Sequence, residues 1–326
     1  MPAPHAHHID IHQRRIHLKA RQRGTDLTTW GSIVLYLPHA LCSLVVVSLV
    51  CALIGPLGYV LLPGWLLSGL LAFHRPTESV IARRLLGLRH PSPREGKALD
   101  GVWREVCARA GVRAENYTLW IQDDGEDINA VAAAGHVVGV TGFALRHVPN
   151  GQLGAVLAHE LGHHIGGHTW AGLLGYWYAL PARLAGAALR YLASLLMRAS
   201  AAVSGCLTVV LGLLLVSIAF TTLTTLYGLP LILLVVPYLL AAVSRRSELR
   251  ADQQAASLGF APMLAAVLHE SERRQRATRG AAGPPATVGV QARLLHSHPD
   301  YHSRLHALRP WLRAEDWPGD EDLATG

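Results

Sequence analysis

From Leu27 to Phe73 the chain carries no Asp, Glu, Lys or Arg, and the same holds from Ala199 to Ser244. Each window is roughly twice the 20 or so apolar residues that cross a bilayer as one helix. Each also has a break near its middle, at Gly55-Pro56 in the first and from Thr221 to Gly228-Leu229-Pro230 in the second. The pattern predicts two helical hairpins, with spans near Gly31–Ile54, Leu57–Phe73, Ala201–Phe220 and Leu226–Val243. Composition agrees, because 51% hydrophobic residues against 16% charged, with a mean hydropathy of +0.27, do not describe an ordinary soluble enzyme.

The basic residues set an orientation. Arg14, Arg15, Lys19, Arg21 and Arg23 precede the first hairpin, and Arg75, Arg83 and Arg84 follow it. Arg190 and Arg198 precede the second, and Arg245 and Arg246 follow it, while neither tip is charged. The positive-inside rule then predicts a multi-pass protein of the cell (plasma or inner) membrane with both termini on the cytoplasmic side. It also accounts for the net charge of +7 without nucleic acid, since these residues flank membrane spans and do not interleave with aromatics on one surface. Cys42, Cys51, Cys107 and Cys206 show no disulfide spacing and read as buried small hydrophobes in a reducing compartment.

Between the hairpins lies His159-Glu160-Leu161-Gly162-His163. On a helix, residues four apart share one face, so both imidazoles can turn a nitrogen toward a single Zn²⁺. Glu160 is then placed to take a proton from water at that ion without binding it. Asn150 is suited to cap this helix, and Leu153, Val156, Leu157 and Leu161 form an apolar stripe.

The rest of the chain is organised around that stretch. Residues 1–26, with His5, His7, His8, His12 and His17, read as a flexible basic leader and not as a cleavable signal peptide. After the first hairpin (27–74), Ile81–Leu88 continues as helix until His90-Pro91-Ser92-Pro93. Leu99, Val102, Trp103 and Val106 then recur at helical spacing up to Gly111. Tyr117–Gln122, Ile128–Ala133 and Val137–Thr141 read as strands, with an acidic turn at Asp123–Asp127. Together, residues 75–169 form a cytoplasmic α+β unit ending in the HExxH helix. An exposed strand edge there can pair with an extended peptide. Residues 170–198 carry Arg183, Arg190 and Arg198 near one face and read as an amphipathic interfacial helix.

A catalytic zinc site needs a third protein ligand. The second hairpin (199–243) returns the chain to the same side and opens a cytoplasmic part (244–313) as a new helix. There Glu248 is the candidate, and Asp252, one turn on, can accept a hydrogen bond from a ligating histidine. Asp252, His298 and Glu270 remain rivals for the third position, and His164 and His168 fall off the His159/His163 face. Residues 314–326 are an acidic tail with no assigned role.

HELGH at 159–163, SRRSELRAD at 244–252, Asn129-Ala130 before a strand, and His298-Pro299 followed by Arg304 together resemble the HtpX-like zinc metalloproteases, relatives of the CAAX prenyl proteases and OMA-type proteases. The resemblance covers roughly residues 30–310. It implies an α-helical membrane protein with about four transmembrane helices in two hairpins and an α+β zincin-type catalytic domain. It further implies one Zn²⁺ held by His159, His163 and Glu248, with Glu160 as catalytic base. His298 or Arg304 would steady the tetrahedral oxyanion, and Asn129 and Ala130 would contact substrate. The expected activity is zinc-dependent endopeptidase cleavage of unfolded or misassembled membrane proteins, with polypeptides and the lipid bilayer as partners. The competing readings are a narrow processing protease for one membrane-attached substrate, and a non-catalytic zinc scaffold, against which the retention of Glu160 argues.

Overall fold

The computed structural model describes residues 26–84, 86–123, 130–133, 135–225, 229–281 and 299–313. The leader up to residue 25, most of the acidic turn and the acidic tail lie outside them. The chain divides into two compact units, one built from Gly31–Leu70 and Leu174–Leu240, the other from Met1–Trp30, Leu71–Leu173 and Ala241–Gly326.

The first of these is all helix. Helix α1 (Leu27–Ile54) is followed by a short turn at Gly55–Leu57, α2 (Gly58–Ser68) and a 3₁₀ segment at Gly69–Phe73. Helix α8 (Gly205–Thr225), with α7 (His168–Val203) from Leu174 onward and α9 (Leu229–Ala255) up to Leu240, supplies the rest; the start of α7 and the end of α9 belong to the other unit. The Tyr36 ring of α1 lies against Gly175 of α7, where a Cβ would fall 2.1 Å from it. Seven residues further along both helices, the buried Ser43 hydroxyl accepts the Ala182 N–H (3.0 Å), next to Pro181 in α7. Pro181 takes one donor out of the helical ladder, and a side chain on the neighbouring helix answers the amide beside it. Helix α7 also reaches α2, through Tyr178 OH to Leu66 O (2.5 Å) and Trp177 Nε1 to Ser68 Oγ (2.9 Å). Residues 36 and 66–69 therefore meet the same turn of α7, which requires the chain to reverse near Gly55. The 170–198 stretch is helical as expected, but it runs parallel to α1 and packs on it, whereas the sequence reading gave it no such neighbour.

Large apolar side chains cover the outside of this unit: Leu49, Leu53, Tyr59 and Val60 are more than half exposed. Among the described residues, one stretch, Leu27–Phe73, is long and apolar enough to cross a membrane, and Gly205–Ser217 is a shorter apolar helix. Helix α9 continues without interruption through Ser244 to Ala255, so the segment expected to open a new helix is the end of the old one.

The second unit holds a four-stranded sheet. Strands β1 (Leu88–Arg89), β2 (Thr118–Gln122), β3 (Ala130–Ala133) and β4 (Val137–Thr141) lie in the order β1-β2-β4-β3, with β2 parallel to β4 and the outer pairs antiparallel. Helix α3 (Arg75–Arg84) leads in, and α4 (Pro93–Ala110) starts at a capping box of Ser92 and Glu95. Arg89 of β1 binds both Glu95 and Asp123, tying the sheet to that helix start. The helical stripe of α4 is buried as predicted, with Leu99, Val102, Trp103 and Val106 at 5% exposure or less. It packs on α6 (Asn150–Gly166), which also carries Leu153, Leu157 and Leu161 into the core. Pro149, not Asn150, occupies the cap position of α6, and no side chain caps it. Helices α5 (Gly142–His147), α10 (Ala261–Ala281) and α11 (Tyr301–Leu308) complete the unit. Between α9 and α10 a π-helical turn at Ala256–Phe260 contains Gly259 at φ 87°, a left-handed conformation natural to glycine, and α10 then packs on α6.

Candidate active site

Helix α6 presents His159 and His163 one turn apart, with their Nε2 atoms 3.3 Å from each other. The Glu248 carboxylate on α9 faces both, with Oε1 3.3 Å from His163 Nε2 and Oε2 3.5 Å from His159 Nε2. Four ligands held tetrahedrally at about 2.0–2.1 Å from a zinc ion stand about 3.3–3.4 Å apart. The three side chains thus already form nearly one face of such a tetrahedron. Among the described residues they form the one group of His, Cys, Asp or Glu that could hold a metal ion.

The approach of α9 to α6 depends on Gly162. A Cβ there would lie 3.0 Å from the Cα and 3.3 Å from the Cβ of Ala251, so the variable position inside HExxH is where the two backbones touch. His159 and Glu248 are each 7% exposed. Burial alone would push the His159 imidazole down, but Asp252 and Glu248 outweigh it and favour a positive charge at this point. The same field favours a divalent cation.

Asp252 does not join the ligand cluster. It is wholly buried, and its Oδ1 accepts from His159 Nδ1 (2.8 Å), which leaves Nε2 as the lone-pair nitrogen facing Glu248. Arg304 on α11 in turn grips Asp252 with Nε to Oδ2 (2.7 Å) and Nη2 to Oδ1 (2.6 Å). Burial alone would raise Asp252, yet Arg304 and His159 hold it below the ordinary range. The structure thus places Arg304 behind His159. Glu160 is also 7% exposed, and among the described residues nothing hydrogen-bonds its carboxylate. A buried carboxylate next to a histidine of this face, with no hydrogen-bond partner among the described residues, has its oxygens available to water.

A scan against family models matches Peptidase family M48 over residues 93–312, about two thirds of the chain, from the start of α4 to just past α11. The chain belongs to that family. Its members are zinc metalloproteases, and this M48 protein is an enzyme of that class with a candidate three-residue metal site. A comparison with curated proteins gave no match.

The remaining expected residues fall in several places. Ala130 opens β3, an outer strand of the sheet among the described residues, while Asn129 and His298 lie outside the described residues. Glu270, a rival third ligand, sits on α10 paired with Arg273 and Arg274. His164 is buried and reaches Val137 O of β4 (3.0 Å), and burial pushes it down to about 3, so it stands neutral. His168 lies against Thr28 and Asp26 at the start of α1. Sequence reasoning did not find Glu78 of α3, whose buried carboxylate binds Gly135 N–H (3.1 Å) and His136 Nδ1 (3.0 Å) and so fixes the turn into β4. The sequence hint was Gly135, a glycine between the strands read at Ile128–Ala133 and Val137–Thr141.

Proposed function

We propose that this M48 protein is a membrane-embedded zinc endopeptidase that cleaves unfolded or misassembled membrane proteins at the cytoplasmic face. The observation that carries the reading is the face formed by His159, His163 and Glu248, with the buried Glu160 carboxylate next to it in the chain. A Zn²⁺ held there would lower the pKa of water and polarise a peptide carbonyl. His159 and His163 offer Nε2 lone pairs, and Asp252 holds the His159 proton on Nδ1 so that this nitrogen stays available. Arg304 keeps Asp252 charged and oriented. Glu160 takes the proton from the attacking water and delivers it to the leaving amine. The outer strand beginning at Ala130, with Asn129 before it, offers a backbone edge along which an extended polypeptide can lie.

Membrane insertion is supported by Leu27–Phe73, of whose most apolar window only 11% is buried, unlike a core helix of a soluble fold. The two charge-free windows and the turn at Gly55 support four spans in two hairpins, and the flanking arginines support cytoplasmic termini. A site at the membrane face meets chains whose backbones are extended and accessible. Bilayer and polypeptide are accordingly the proposed partners, and nucleic acid is not. The test compares casein cleavage by the detergent-purified, zinc-loaded protein with that of Glu160→Gln, which keeps the metal face. Wild type should cleave and a chelator should stop it. The variant should bind zinc equally and lose about 10²- to 10⁴-fold in rate. Equal cleavage by both would refute the assignment of the base.

A further inference from the structure

The four residues that open α1 gather the ends of three other helices. Asp26 caps α1, its Oδ1 accepting the Thr29 N–H (2.8 Å) and the Thr28 hydroxyl (2.7 Å). Its other oxygen accepts from Arg250 Nη1 (2.7 Å), two residues beyond Glu248 on α9. Thr29, fully buried, donates its hydroxyl to Gly166 O (2.6 Å), a carbonyl in the last turn of α6 that also accepts the Asp26 N–H (3.3 Å). His168, at the start of α7, places Nε2 2.5 Å from Thr28 Oγ1 and 3.2 Å from Asp26 Oδ1.

Helices joined only over a short stretch can still tilt about it. Helices α6 and α9 touch where Gly162 meets Ala251, and the bond from His159 Nδ1 to Asp252 joins them on the same stretch. The Asp26–Thr29 corner adds a further tie, from Gly166 to Arg250, past His163 toward the end of α6. A tie at each end of the contact limits tilting as well as separation, and a metal face with sides of 3.3–3.5 Å tolerates little change in either.

We propose that Asp26, with Thr29 and Arg250, is a positioning brace that sets Glu248 against His159 and His163, making the start of the first apolar helix a working part of the metal site. The proposal rests on the reading of that site as a zinc centre. None of the three touches reacting atoms, and their effect passes through the ligands they align. Helix capping alone would explain only the bonds within α1. The bonds to Arg250 and to Gly166 leave that helix altogether.

The charge and the cap can be separated, because asparagine caps a helix as well as aspartate but has no charge for Arg250. Zinc affinity would be measured by chelator competition on the full-length protein in detergent for wild type, Asp26→Asn, Arg250→Gln and the double variant, with melting of the zinc-free forms alongside. Each single variant should weaken zinc binding about threefold to tenfold, and the double no further, since both remove one interaction. Arg250 is 42% exposed, so its replacement leaves packing intact and keeps the test open should Asp26→Asn fold poorly. Affinities within twofold of wild type in the single variants, whatever their melting, would overturn the brace while leaving the metal site standing. A wild type that binds no zinc would overturn the metal site, and the brace with it.

Discussion

The Asp252–Arg304 pair separates stability from metal binding in a way that can be measured. Asp252 is fully buried and the Arg304 side chain is 18% exposed, so the pair is largely shielded from water. Removing one partner of such a pair leaves the other charge uncompensated, at a cost of about 3–5 kcal/mol. Asp252→Leu should lose about that much stability in the zinc-free protein. Arg304→Met should lose somewhat less, because Asp252 keeps the bond from His159 Nδ1 (2.8 Å). Combining the two replaces an ion pair by apolar groups, which is often neutral or better, and stability should return to within about 1 kcal/mol of wild type. Zinc affinity should not return. In both Asp252→Leu and the double variant, His159 has lost the acceptor that fixes its ring and tautomer. Loss of such a partner weakens binding about 10- to 100-fold, or about 1.4–2.7 kcal/mol. The assays are unfolding of the zinc-free protein in detergent and chelator competition for zinc. A double variant that recovers zinc affinity to within threefold would show that Asp252 serves only as a counter-charge to Arg304, and the orienting role would be refuted.

Gly162→Ala should lower zinc affinity about fivefold by forcing α9 back from α6, while helix propensity worth about 1 kcal/mol keeps the melting temperature near wild type; unchanged affinity would mean that the backbone contact does not limit the site. Asp26 gives an acid-side dependence: burial alone would raise its carboxyl, but bonds from Thr28, Arg250 and Thr29 hold it down at about 2. A depressed acid stabilises the fold fully above its ordinary value of 3.8 and loses that contribution as pH falls through about 2. Unfolding of wild type should therefore steepen between pH 4 and pH 2, by no more than about 2 kcal/mol for this partly exposed group, and Asp26→Asn should flatten that window. Stripping zinc should lower the melting temperature of wild type, the difference corresponding to about 4 kcal/mol at a free zinc concentration a thousand times the dissociation constant. Glu248→Ala should show little or no such difference, and a full zinc-dependent shift in that variant would remove Glu248 from the metal face.

The parts of the site that sequence made legible are those fixed by one helix. His159 and His163 share a face because of the 3.6-residue period, and Glu160 follows from being next to the first of them. Glu248 is 85 positions from His163, and the residues alone left it among rivals. The structure separates them by neighbours: Glu270 has Arg273 and Arg274, Asp252 has Arg304 and His159 Nδ1, and Glu248 faces the two Nε2 atoms. The resemblance implied that His298 or Arg304 steadies the oxyanion, and the structure bonds Arg304 to Asp252. Which side of a histidine an arginine approaches depends on the packing of α11, and no local period encodes that. Gly162 was visible within the motif, but its use requires Ala251, whose backbone it meets from another helix.

The boundary drawn at Ser244 shows a different kind of limit. Charges begin at Arg245, and the sequence reading treated that onset as the start of a new helix. Hydropathy reports which solvent a side chain prefers, whereas a helix ends where the backbone ladder is interrupted. Between Pro237 and Gly259 there is neither glycine nor proline, so nothing in the chain halts α9 as it passes from apolar to charged residues. The consequence is mechanical. Helices α1, α7 and α9 each join a charge-poor length to a charged or polar end, and at those ends stand Asp26, His168 and Glu248 with Arg250. A rigid helix transmits rotation about its axis along its whole length, at about 100° per residue of register. Inserting one residue between the buried Ala241 and Ser244, within the unit that holds the site, should therefore turn Glu248 away from His159 and His163 and abolish stoichiometric zinc binding. Had Glu248 stood on a separate helix behind a flexible joint, the same insertion would leave zinc binding intact, and that result would refute the continuity argument.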